Sequence, residues 1–411
     1  MTTRDCKAWR TILPAVCALI LILGVAAVAQ RQPIITTIDA PLAGRSNGYG
    51  TQVQEINAAG IITGFYVAYD NVAHGFVQSP DGHHFTIING PGVPSSLPDS
   101  DDPFSPPSTW INSNDPGTYG AALDPSGNVA GYYVDANGAA HGFLQAPDGK
   151  FTSFNVTGAG NQANQGTYAV NMNPEGTVAG YYVDAQGGWH GFVRTRDGAI
   201  SPFNAPDGTG STWTGWTACL NKRGEVAGAY YDSNGNQRGF VRKPDGTFET
   251  FAYRDSDQNK DLTPWSSQGT NIWAINAEGA VAGVYVDSNN VYHGLVRSPD
   301  GKIAVFDVPR APKGADTIPQ DINSEGAIVG LYNDAPDSDP TRGHHGFVRS
   351  ADGRYTYFDV PVEDPKNLHG TVPYFINEDT ITGFYIDGTD GNYVWHGFER
   401  KGADWRGFDS K

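Results

Sequence analysis

The stretch YYVDAQGGWHGFVRTRDG, residues 181–198, decides the fold. An aromatic run meets a polar turn, a second aromatic run follows around His190, and an Asp-Gly turn closes it. Short aromatic and β-branched runs between glycine-bearing turns read as strands joined by tight hairpins. The same grammar returns along the chain. His-Gly-Phe recurs at His74, His141, His190, His345 and His396; His293 opens a His-Gly-Leu version and Arg238 an Arg-Gly-Phe version. Successive spacings are 67, 49, 48, 55, 52 and 51 residues.

Every unit carries the same punctuation. An apolar residue, then Asn or Asp, then a Gly three further on gives INAAG (56–60), LDPSG (123–127), MNPEG (172–176), LNKRG (220–224), INAEG (275–279) and INSEG (322–326), with INEDT (376–380) degenerate. A strand follows, then a polar turn, the His element, an Asp-Gly turn and a last strand ending as in FDVP. Three turns separate four strands, here named a to d. Four antiparallel strands per unit, seven times over, predict an all-β, seven-bladed β-propeller of four-stranded antiparallel blades. A parallel β-helix is the alternative, but its repeats are shorter. The segment 34–41 matches the strand d endings and is expected to close the ring, although 404–410 also looks d-like.

The repeat resembles the HAF family of extracellular repeats, with Gly mostly in the middle position of the His-Ala-Phe-like core. The resemblance covers all seven units and implies export and a repeat fold. It implies no catalytic residues.

The chain opens with Arg4, Lys7 and Arg10 before an apolar run from Ile12 to Val28, and Ala27 and Ala29 offer a cleavage site. Residues 1–29 therefore read as a signal peptide, and 30–411 as a single seven-repeat domain, secreted to the extracellular space or periplasm. The charge is −17 overall and −19 once that leader is removed. Such a surface disfavours nucleic acid and anionic membranes. No later segment has the apolar length of a membrane span. With Cys6 and Cys17 in the leader, Cys219 stands alone and reads as a buried filler. A monomer is expected.

Six histidines in seven registers read as scaffold, because catalysis needs one asymmetric site. Six residues before each turn Asn or Asp stands a threonine: Thr51, Thr118, Thr167, Thr270, Thr317 and Thr371. The fourth unit, which has Arg238 for His, has Gly215 there. This suggests a polar latch between Thr and His. The DANG (135–138), DSNG (232–235) and DGTDG (387–391) turns lack the later acidic ligand of calcium loops and read as hairpin turns.

Function is sought where loops break the repeat: 91–116, 252–268 and 334–343. Trp110, Tyr119, Tyr168, Trp213, Trp216 and Trp265 are the candidate ligand-binding residues, beside Asp101, Asp102, Asp115, Asp255 and Asp257. Aromatic rings stack on pyranose faces and carboxylates accept hydroxyl bonds. The bland alternative is that these aromatics plug the channel mouth or pack the long loops. No Ser-His-Asp motif, metal-spaced His pair or phosphate loop occurs, so no catalytic residue, metal or cofactor is assigned. The expected function is a binding or interaction module for an extracellular polysaccharide or protein. The alternatives are a carbohydrate-active hydrolase or lyase using loop carboxylates or a non-repeat histidine such as His369, and a structural envelope protein.

Overall fold

A computed structural model describes residues 33–45, 48–94, 115–215, 219–253, 268–334, 343–389 and 392–402. Contacts divide the chain into Met1–Arg31, outside those residues, and Gln32–Lys411. No described helix is long and apolar enough to cross a membrane.

The described residues are all-β, with 28 strands in one continuous sheet and a single short 3-10 turn at Pro365–Asn367. The third unit shows the pattern. Strands Gly166–Met172, Val178–Val183, Trp189–Arg194 and Ile200–Phe203 pair in sequence order, each antiparallel to the next. The other units repeat it. In the last, Ile34–Ile38 supplies the outer strand, pairing Ile34 with Lys401 and Ile38 with Gly397. Antiparallel pairing within the units is incompatible with a parallel β-helix.

The innermost strands are bulged at one register, as between Ala169 and Asn171 or Ile272 and Ala274. A bulge bends and twists a strand. In the fourth unit Gly215 N–H donates to the Ala227 carbonyl and Ala227 N–H donates to the Cys219 carbonyl, and Thr212 stands nine residues before Asn221 where Thr167 stands six before Asn173, three residues more.

Successive units touch where strand c of one meets the start of strand a of the next. Gly166 pairs with Ala140 there at φ +114°, and a Cβ on it would lie 2.1 Å from the Ala140 carbonyl oxygen. Only glycine permits that approach. The sixth unit has Asp316 instead, and its Oδ1 accepts the Tyr292 N–H at 2.9 Å.

The turn asparagines do more than turn. Asn276 Oδ1 accepts from the backbone N–H groups of Glu278 and Ala280, and its Nδ2 donates to the Asn323 carbonyl at 3.0 Å. Equivalent links run from Asn57 to Asp124, Asn173 to Asn221, Asn221 to Asn276 and Asn323 to Asn377. The Asp124 side chain has no N–H to donate and instead accepts from Asn128 Nδ2. A second strap runs along the outer strands. Arg194, Arg242, Arg297, Arg349 and Arg400 lie over Phe154, Phe203, Phe251, Phe306 and Phe358 of the preceding unit, 4.6–5.0 Å from the ring centroids.

Candidate functional site

His190 sits on strand c with its ring stacked on Tyr182 of strand b, centroids 4.7 Å apart. Its Nε2 donates to Asp184 of the b–c turn at 3.0 Å, and its Nδ1 is bonded to Asn204, just past strand d, at 2.7 Å. Asp184 Oδ1 meanwhile accepts from the Gln186 and Gly188 backbone N–H groups, which shapes the turn. The carboxylate is held below its ordinary pKa by His190 and these N–H groups, against the opposing effect of burial. The same Tyr–His–Asp–Asn set surrounds His74 and His141. Around His293 and His345 the residue past strand d is an aspartate, Asp307 and Asp359; around His396 it is Asp39.

The threonines join this set differently from the expected latch. Thr212 Oγ1 accepts the backbone N–H of Ala205, the residue after Asn204, at 3.1 Å. Thr118 does so for Gly90, Thr167 for Val156 and Thr371 for Val360. Each threonine thus holds the outer-strand end of the preceding unit, whose neighbouring side chain holds that unit's His. The latch therefore links adjacent units through backbone. Counting back to Gly215 misplaces the fourth unit, because the three extra residues shift the register; Thr212 holds the position. What departs with the histidine is its acceptor. Arg238 donates to Asp232 at 2.7 Å, but Ala252 stands where Asn204 stands in the third unit.

Tyr119, Tyr168 and Trp213 are 4, 1 and 2% exposed. Tyr119 stacks on Tyr132, Tyr168 stacks on Tyr181, and Trp213 tilts against Tyr231. Rings covered on their faces by other rings are closed to a sugar, so these three serve the core. Asp115 is exposed, and its backbone carbonyl accepts from the Tyr119 hydroxyl. Trp110, Trp216, Trp265, Asp101, Asp102, Asp255 and Asp257 lie outside the described residues. Cys219 is fully buried, and burial pushes its thiol up to about 12, which suits a filler.

Two acids, Asp321 buried and Glu55 partly buried, bridge adjacent units. Glu55 accepts from Leu123 N–H and Asp321 from Ile376 N–H, each in the next unit. They occupy the same register of strand a, one residue before Ile56 and Ile322. Burial raises both pKa values, Asp321 to about 7.

A cavity of about 460 Å3 opens between the sixth and seventh units. Asp334, His344, His345, Asp359 and His369 supply its polar lining, and Val360, Pro361, Val362 and Leu368 its apolar wall. His345 bonds Asp359 through Nδ1 at 3.0 Å and Asp334 through Nε2 at 3.2 Å. These bonds, Asp359 first, hold its pKa above the ordinary value against burial. His369 is outside the repeat. It sits in a bulge of the extended inner strand Leu368–Ile376, 5% exposed, with the Tyr393 ring edge-on at 4.4 Å. Its Nε2 donates to the Gly388 carbonyl at 3.0 Å, so the neutral ring carries its lone pair on Nδ1. The cavity borders the 334–343 expansion, which the sequence marks. Its histidines are not marked as neighbours there, because they join only when two units meet.

No protein-family model matches the chain, and no curated protein matches it. Solved structures do. A virginiamycin B lyase from Staphylococcus aureus is similar at 13% identity and a TM-score of 0.50, covering 90% of this chain and 99% of that one. The lectin BP39L from Burkholderia pseudomallei is similar at 11% identity and a TM-score of 0.49, covering 86% and 96%. The Aleuria aurantia lectin follows at 10% identity and a TM-score of 0.39, covering 80% and 99%. The structural neighbours are β-propeller proteins, and at such identities the likeness concerns the fold alone.

Proposed function

We propose that this chain is an exported seven-bladed β-propeller of four-stranded blades, related to the HAF-type extracellular repeat proteins, that binds extracellular glycans. The cavity between the sixth and seventh units is its ligand site. The observation that carries this reading is that cavity, whose lining combines Asp334, Asp359, His344, His345 and His369 with the apolar Val360, Pro361, Val362 and Leu368. Its volume falls within the range of small-ligand sites. Hydroxyl groups would bond the carboxylates and imidazoles while the sugar ring lies on the apolar wall. The recurring sequence punctuation and the repeated strand pairing support the blade count, and the basic-apolar leader supports export.

A second reading, a carbohydrate-active hydrolase or lyase, is favoured by His369. It is a non-repeat imidazole, fixed by Gly388, lining the same cavity as two carboxylates. A glycan array read for both retained and released sugar separates the two. Binding without release, lost in His369→Ala, is the expected result. Release that His369→Ala abolishes establishes the enzyme, and silence in both readouts removes both readings.

A further inference from the structure

On the described lining of the cavity between the sixth and seventh units the permanently charged side chains are two carboxylates. Its described lining holds Asp334 and Asp359 and no Lys or Arg. The two carboxylates are 53 and 40% exposed, so both are open to a ligand. His345 stands between them, bonded to each. A carboxylate accepts and cannot donate, so both bonds coexist only on the imidazolium. In the first three units one partner is Asn89, Asn155 or Asn204. An asparagine amide can turn and donate to a neutral ring. The sixth unit has no such option.

Among the described residues, the Tyr332 ring lies beneath His345 at 5.2 Å, Tyr357 packs on Tyr332, and Arg310 lies over the Tyr357 ring at 5.3 Å. His344 and His369 line the same cavity. Among the described lining residues, the proton on His345 is therefore the counter-charge bonded to Asp334 and Asp359.

We infer that the cavity takes an amine-bearing sugar, whose ammonium group replaces the His345 proton as counter-ion to Asp334 and Asp359. The inference rests on the cavity being the glycan site proposed above. The exchange balances: the ligand brings one positive charge, the imidazolium releases one proton to solvent, and the charge of the site is unchanged. An ammonium and an imidazolium together would repel across a half-buried space, which drives the proton off. The neutral imidazole keeps one hydrogen bond to one carboxylate, and the freed oxygen atoms of the other receive the ammonium.

The test is titration calorimetry of the whole chain with a glucosamine tetramer and with its fully N-acetylated counterpart. It is run at about pH 6.5, near the ordinary histidine value, in two buffers of different ionisation enthalpy. The glucosamine tetramer is expected to bind about tenfold tighter or better, the effect of one charge-assisted bond, and to release protons. His345→Gln is expected to abolish the release and keep the preference; Asp359→Asn is expected to lose the preference. If Asp359→Asn fails to fold, Asp334→Asn is read in its place. Equal binding of the two tetramers, or proton release that survives in His345→Gln, overturns the inference and leaves the glycan reading intact. Failure of both tetramers while another arrayed glycan binds in a His369-dependent manner does the same. Failure of every glycan overturns both.

Discussion

The Asn221 side chain donates through Nδ2 to the main-chain carbonyl of Asn276, 3.0 Å away in the next unit, while its Oδ1 shapes its own turn. One residue type therefore closes a hairpin and ties that hairpin to its neighbour. Buried backbone carbonyls need partners, and here a side chain from the adjacent unit supplies one.

Asn276→Asp isolates the tie. The carboxylate keeps the acceptor that caps the turn but loses the Nδ2 hydrogens, leaving the Asn323 carbonyl with the Gly326 N–H of its own turn. The expected cost is about 1 kcal/mol, the worth of one hydrogen bond. Urea unfolding of the variant against the parent measures it. Asn276→Ser, which also keeps a turn acceptor, should cost a similar amount.

The Arg–Phe strap covaries along the chain. Five outer strands end in Phe, and the next unit then carries Arg. The strands ending at Ile38 and Ile88 are followed by units with Gln78 and Gln145 in the Arg position. A flat ring attracts a guanidinium where a branched aliphatic side chain offers no such face. A double-mutant cycle on Phe154→Ile and Arg194→Gln should return a coupling of about 0.5–1 kcal/mol. Additive losses would show that the strap is packing alone.

Acid should favour the fold through Asp321. Burial raises its folded pKa to about 7, above the unfolded value, so the folded state binds the proton more tightly. This contribution is fully present below the unfolded carboxylate value, about 4. It is lost as pH rises through about 7. Thermal midpoints measured across that window should fall more steeply in the parent than in Asp321→Asn, which retains an acceptor for the Ile376 N–H. Parallel profiles would rule out Asp321 as the source.

The Cys219 thiol should be silent in the native protein. It is fully buried, its pKa is pushed up to about 12, and it is the free cysteine among the described residues. Ellman's reagent at mildly alkaline pH should titrate it only after denaturant is added. Rapid native labelling would mean that Cys219 is reached by solvent in the folded protein.

Restoring the missing clamp tests the scaffold role of the repeated histidines. Arg238→His with Ala252→Asn rebuilds the His190 arrangement in the fourth unit, where Asp232 and Tyr230 already stand. The pair together should recover stability that Arg238→His alone loses, by about 1 kcal/mol, the worth of one hydrogen bond. Thermal unfolding of the single and double variants reads this.

The sequence by itself determined the strands and their periodicity. Turn chemistry is local: Asp184 and Gly187, or Asn173 and Gly176, act within a few residues, so their signal is contiguous. It determined that His190 is one of a set, and that Cys219 has a filler's place. The partners of that histidine were written in the sequence too, in the Asn or Asp that follows strand d in every unit except the one with Arg238. Only the tertiary structure decided which face each aromatic takes. Tyr119 and Tyr168 were credible ligand platforms in sequence, but rings from neighbouring strands and units cover them. Three residues more between Thr212 and Asn221 were enough to hide Thr212 behind Gly215, because register is set by cross-strand pairing and not by distance along the chain. The cavity of His345 and His369 belongs to two units at once, and a contact between units is fixed by how their sheets meet.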